Sequence, residues 1–196
     1  PVNCGAPWTR DMIEAAIEIG PHPSALDPAA VEAIRQETFE KAEEGMVLIV
    51  KWDDVKESAP ATLKVSPVAA IPHKSRAYRM ILDLSWAIRQ GILAMLSVNE
   101  STIPQAPTSA MEQIGRVLPR LVWALATAPT ELGPFLFAKL DIKDGYWRMV
   151  VGEEDAWNFA YVLPSLDPTE PIKLVIPKSI QMGWLESPAF FCTASE

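Results

Sequence analysis

The spacing of apolar and polar positions divides the chain into a helical start and a strand-rich remainder. The segment from Asp11 to Ile19 reads as a helix stopped by Gly20-Pro21. A second helix starts at Asp27-Pro28, a capping residue followed by proline at the first helical position, and ends before Gly45. From Met46 onward the pattern shifts to short apolar runs broken by Pro, Asp and Gly. Met46 to Lys51, Leu63 to Pro72 and Tyr78 to Leu84 read as strands. Ser109 and Glu112 have the spacing of a capping box, and Ile114, Val117, Leu118, Leu121, Val122 and Leu125 then recur at helical spacing, which predicts a buried helix kinked at Pro119. Three further strands are expected at Phe135 to Ile142, Trp157 to Leu163 and Ile172 to Pro177, and Ser187-Pro188 caps a last helix.

Composition adds bounds to this outline. The 196 residues are 49% hydrophobic and 21% charged, as in a folded protein rather than a disordered or fibrous one. Cys4 and Cys192, near opposite ends, make neither a disulfide framework nor a paired zinc spacing, so an intracellular, reducing setting is expected. The longest clear apolar run, Leu121 to Ala128, is far short of the roughly 18 to 20 residues a bilayer span needs, so no membrane partner is expected. The first residue is Pro1 and the last ten residues read as a helix just begun, so the chain is expected to be a piece of a longer protein.

Charge changes the picture once it is split by position. The net −8 speaks against phosphate binding at first sight. Residues 1 to 58, however, hold 12 acidic and 5 basic side chains (12 − 5, net −7), while residues 59 to 196 hold 13 and 12 (13 − 12, net −1). The acidic residues of the N-terminal helices read as a solvated face. The one basic stretch is Lys64, Lys74, Arg76 and Arg79, which is also what an ordinary exposed hairpin would carry. Candidate chemistry sits at Ala138-Lys-Leu-Asp141-Ile-Lys-Asp144-Gly-Tyr146, where an apolar run meets two carboxylates. A strand-end Asp suits a metal ion because the strand fixes it while the open end admits substrate; a pair of turn and cap aspartates is the plainer alternative.

Taken in order, Ser66-Pro-Val-Ala-Ala-Ile-Pro-His-Lys74-Ser-Arg76-Ala-Tyr-Arg79-Met-Ile-Leu-Asp83-Leu-Ser85, then Ala138 to Tyr146, then Gln181-Met-Gly183-Trp184-Leu-Glu-Ser187-Pro188-Ala-Phe-Phe191 resemble the fingers and palm of reverse transcriptases of retroviruses and retrotransposons. The resemblance covers about residues 46 to 196. It implies an α+β fold with an antiparallel palm sheet packed by helices. It divides the chain into an acidic helical segment (1–45), a fingers-like region with a connecting helix (46–134) and a partial palm (135–196) that stops before the family's Tyr-x-Asp-Asp motif.

By the same resemblance, Arg79 and Lys74 would clamp the triphosphate of an incoming deoxynucleotide, as cations flanking phosphates do. Asp141 would be a catalytic carboxylate ligating Mg²⁺, with the carbonyl of Ile142 completing one coordination sphere and two ions serving an in-line displacement. Backbone N–H groups around Asp144 and Gly145 would receive the triphosphate. Tyr146 would be a steric gate against a ribose 2′-hydroxyl, where an RNA-templated RNA polymerase would carry a small or polar residue. Gly183 would allow close approach of the nucleotide and Trp184 would pack near the template. The retroviral pattern has Gln directly before this Gly; here Met182 stands there and Gln181 one place earlier. The implied function is a fragment of an RNA-directed DNA polymerase acting with template, primer, dNTP and Mg²⁺, inactive by itself because the other two metal carboxylates are missing. A noncatalytic nucleic-acid or protein interaction module derived from a retroelement remains the alternative. Oligomeric state is not specified by the sequence.

Overall fold

The computed structural model describes residues 2–74, 77–89, 94–129, 131, 133–138 and 141–195. Its elements are mixed α and β. In chain order they are helices α1 (Arg10–Ile19) and α2 (Pro28–Glu43), strand β1 (Val47–Lys51), the single turn α3 (Trp52–Val55) and strands β2 (Val68–Pro72) and β3 (Tyr78–Leu82). There follow α4 (Val98–Ser101), α5 (Ser109–Gly115), α6 (Val117–Thr127), strands β4 (Tyr161–Val162) and β5 (Lys173–Pro177), and α7 (Ser187–Ala194). No helix among the described residues is long and apolar enough to cross a membrane.

The first two helices form where local chemistry asks for them. The Thr9 side chain accepts from the Met12 N–H at the start of α1, and Gly20 closes its end. Asp27 accepts from the N–H groups of Ala29 and Ala30, with Pro28 at the first position of α2. Past Glu44, Gly45 takes φ 73°, the left-handed conformation that ends a helix at least cost when no Cβ is present.

Strand β5 is the centre of a three-stranded antiparallel sheet in the order β1-β5-β4, with Ile49 opposite Val175 and Tyr161 opposite the same residue on the other side. It is buried on both faces. Val175 packs with Val47, Tyr161 and Ile34 of α2, while Leu174 and Ile176 pack with Ala16 and Ile17 of α1. This two-sided burial explains why Leu174-Val175-Ile176 is a continuous apolar run rather than an alternating one. The sheet is tied to α2 by a hydrogen bond of 2.9 Å between the Thr38 and Tyr161 hydroxyls and by Arg35, whose guanidinium meets both carboxylate oxygens of Glu170. Strands β2 and β3 form a separate antiparallel hairpin in which Ile71 faces Arg79.

Several expected elements differ. The run Leu63 to Pro72 is strand only from Val68. Before Pro67, which has no N–H to donate, Lys64 and Ser66 instead donate backbone hydrogen bonds to Trp157 and Ala160. Trp157 to Leu163 opens in the end of a 3₁₀ turn (Asp155–Phe159) and is strand only at Tyr161 and Val162. No strand forms over 135–138, where Leu136 is 93% exposed. Lys139 and Leu140 lie outside the described residues. A strand is stable only with a neighbour for its N–H and C=O groups, and among the described residues no strand pairs with 135–138.

The apolar helix is broken at Arg116 into α5 and α6, which places Pro119 in the first turn of α6, where its missing N–H is harmless. It is not buried: Leu118 is 69% and Trp123 70% exposed. Thr108, without a side-chain cap, precedes α5, so Ser109 and Glu112 form no capping box. That motif occurs instead at Ser97 and Glu100, ahead of α4. Glu186, not Ser187, occupies the cap position of α7.

Candidate functional site

A cleft of about 640 Å³ opens between hairpin β2–β3, the turn around residues 142–147, the loop 180–183 and α7. Three segments far apart in sequence meet there. Arg79 comes from β3, Ile142, Asp144, Gly145 and Tyr146 from the turn, and Gly183 from the loop. The turn and the loop are held together directly behind the cleft. Val151 N–H donates to the Lys178 carbonyl and Ile180 N–H to the Met149 carbonyl, each at 3.0 Å. The Arg79 guanidinium reaches across the opening to the Met182 sulfur, linking hairpin to loop.

The floor is shaped by close packing. A Cβ on Gly145 would lie 2.7 Å from the Phe191 ring, so only glycine lets the turn approach α7 this closely. The Tyr146 ring meets Phe191 edge-to-face, with centroids 5.3 Å apart. Asp144 has φ 55°, the one positive value on a non-glycine residue among those described. Its carboxylate accepts from the Lys41 ammonium at 2.9 Å. Burial works against the Lys41 charge, yet the hydrogen bonds it donates to Asp144 and Glu44, together with their charges, hold its pKa above the ordinary lysine value. On the loop, Gly183 has φ 97°, and a Cβ there would stand 3.4 Å from the Leu82 carbonyl oxygen. This turn needs glycine for its backbone conformation as much as for space. Asn99 fixes the loop by donating to the Gly183 carbonyl and accepting from the Leu185 N–H, both at 2.9 Å.

Three residues expected at the site stand elsewhere. Asp141 is exposed and not part of the cleft lining; the strand expected to fix it is not formed over 135–138. Lys74 is exposed in a bend beyond β2, one residue past the cleft-lining His73. Trp184, expected beside a template, is 2% exposed. It stacks on Phe190, meets Phe159 edge-on and donates its indole N–H to the Thr102 hydroxyl, so its ring has no open face for a template strand. Gln181 is likewise buried and donates to Ser179.

The cleft also contains residues that sequence reasoning passed over. Glu37 and His73 line it, Phe191 supports it, and Asn99 and Lys41 hold its loop and turn from outside. Glu37 and Lys41 share one face of α2, a helix whose charged residues by sequence pattern alone read as a solvated surface. Ser97-x-x-Glu100 was a legible sign of an ordered turn at Asn99.

The Asp144 carboxylate is engaged by Lys41, and no group of three His, Cys, Asp or Glu residues that could hold a metal ion occurs among the described residues. What the arrangement offers is a mixed-charge cavity with a guanidinium at one rim, an aromatic floor and two turns of close-approach backbone. No protein-family model matches the chain, and no curated protein matches it.

Proposed function

We propose that the chain is the fingers and part of the palm of an RNA-directed DNA polymerase, and that its cleft receives a deoxynucleoside triphosphate. The observation that carries this reading is the meeting of Arg79, the Asp144-Gly145-Tyr146 turn and Gly183 in one cavity, although together they span more than a hundred positions. Arg79 is suited to phosphate oxygens, and the Tyr146 ring to excluding a 2′-hydroxyl. In the complete enzyme Mg²⁺, with Asp141 and the Ile142 carbonyl among its ligands, would supply charge stabilisation of the displacement, and a primed template would lie against the same face. By itself the chain is inactive in this reading.

A second reading is favoured by the cleft lining: Lys41 engages the Asp144 carboxylate and Asp141 stands outside the lining, which fits a noncatalytic nucleic-acid or protein interaction module derived from a retroelement. Titrating ¹⁵N-labelled protein with Mg²⁺-dTTP and Mg²⁺-UTP tests the proposal. The expected outcome is that dTTP moves the Gly145, Tyr146 and Gly183 amide resonances more than UTP does, and that Arg79→Ala weakens dTTP binding about tenfold or more. Equal response to both nucleotides would overturn the Tyr146 discrimination, and no response to either would sink the nucleotide reading. Robust primer extension by the chain alone would overturn its inactivity.

A further inference from the structure

Helix α2 belongs to the acidic N-terminal segment, yet one of its faces reaches the cleft. Glu37 lines the cavity, and one turn later the Lys41 side chain is only 9% exposed. Its ammonium lies 2.9 Å from an Asp144 carboxylate oxygen, 3.3 Å from Glu44 and 5.6 Å from the centre of the Trp147 ring. A long cationic side chain loses much of its freedom when buried in this way, so the contact is more than a surface ion pair.

Its partner is the strained residue of the turn. An L-residue at φ 55° meets a steric cost, which aspartate can bear when its short side chain is held by a polar partner. The chain reverses at this point into the 3₁₀ turn Tyr146–Arg148, in which Met149 N–H donates to the Tyr146 carbonyl at 3.0 Å. The position of Gly145 against Phe191, and of the Tyr146 ring in the cleft, therefore depends on Asp144 keeping this conformation.

We infer that Lys41 is a positioning residue, clamping Asp144 in its left-handed conformation so that Gly145 and Tyr146 face the cleft. The N-terminal helical segment is then part of the site's scaffold rather than an appendage to it. What the positioned turn binds rests on the nucleotide reading above; the clamp itself does not.

The test compares wild type with Lys41→Met, Lys41→Arg, Asp144→Asn, Asp144→Gly and the Lys41→Met/Asp144→Gly double variant, reading amide resonances of Gly145 and Tyr146 and the affinity for Mg²⁺-dTTP. Lys41→Met and Asp144→Asn are expected to shift both resonances and weaken binding roughly tenfold, while Lys41→Arg retains the wild-type pattern. Glycine adopts φ near +55° without steric cost, so in the Asp144→Gly background Lys41→Met should change affinity less than about twofold. What sets the clamp apart from a pair acting through its charge is Asp144→Gly alone, which removes the pair but keeps the conformation and should retain near-wild-type affinity. Unchanged resonances in Lys41→Met, or a double variant as impaired as Lys41→Met, would overturn the clamp. If Lys41→Met does not fold, Asp144→Asn makes the same comparison. Resonances that follow the expected pattern without dTTP binding to any variant would uphold the clamp and reject the nucleotide reading.

Discussion

Cys4 and Lys64 show how much a single buried residue can decide. Lys64 is fully buried, donating to the Cys4 carbonyl and to the Ser101 hydroxyl while lying 6.0 Å from the centre of the Trp8 ring. Burial pushes its pKa down, opposed in part by Cys4. Burial likewise pushes the Cys4 thiol up from 9.0 to about 11, against the lowering effects of the Lys64 charge and a hydrogen bond with Thr102. Between those two values the unfolded chain has released the thiol proton while the native chain keeps it, so stability falls as pH rises through the window. Cys4→Ala should remove this loss, up to about 2–3 kcal/mol, leaving a flatter dependence of the urea midpoint between pH 9 and 11. Identical slopes in the two proteins would contradict it. Nothing in the sequence around Cys4 or Lys64 announces this pairing, because the two are 60 positions apart.

At the scale of elements, the single turn α4 does more than its length suggests. The Ser97 hydroxyl accepts from the Glu100 N–H, and Glu100 accepts from the Ser97 N–H, a reciprocal capping box. The turn carries Asn99, which clamps the Gly183 loop, and it precedes Thr102, which anchors Trp184. A hydrogen bond from Arg89, then one from the Ser97 backbone, hold the Glu100 carboxyl well below its ordinary 4.5, at about 2. A carboxyl depressed in the native state contributes stability above the unfolded value that is lost as pH falls through the native one. Ser97→Ala should therefore cost about 1 kcal/mol near neutrality. Glu100→Gln should flatten acid unfolding between pH 4.5 and 2, as followed by circular dichroism. Wild-type acid sensitivity in Glu100→Gln would count against this account.

For the molecule as a whole, the decisive feature is an apolar surface set against a well-filled core. The sheet is closed by α1 on one face and α2 on the other, while α6 leaves Leu118, Val122 and Trp123 exposed, and Phe135 to Phe137 are exposed as well. Exposed apolar surface of this kind promotes association in water. Sedimentation velocity should show the chain associating as its concentration rises, and Leu118→Lys with Trp123→Glu should reduce that association several-fold. A monodisperse monomer at every concentration would refute the expectation. Membership of one core cannot be read from helical spacing alone: Ile114 to Leu125 has the period of a buried helix, yet burial requires a second surface at the right distance.

What the sequence determined by itself is what depends on near neighbours. Asp27-Pro28 and Gly45 delimit α2, Gly20 ends α1, and the unbroken apolar run at Leu174 to Ile176 marks a strand covered on both faces. These signals act within a turn or two of chain, so they are legible without a fold. The motif residues were legible one by one through resemblance, but their meeting was not. Tertiary structure decided that Arg79, Tyr146 and Gly183 share a cleft, that Trp184 is spent on the core, and that Lys41 reaches Asp144 across 103 positions. It also withheld a strand from 135–138 despite their apolar pattern. The physical reason is common to all four: hydrogen-bond partners, apolar cover and countercharges come from segments remote in sequence, and a residue's own pattern does not specify which segment will supply them.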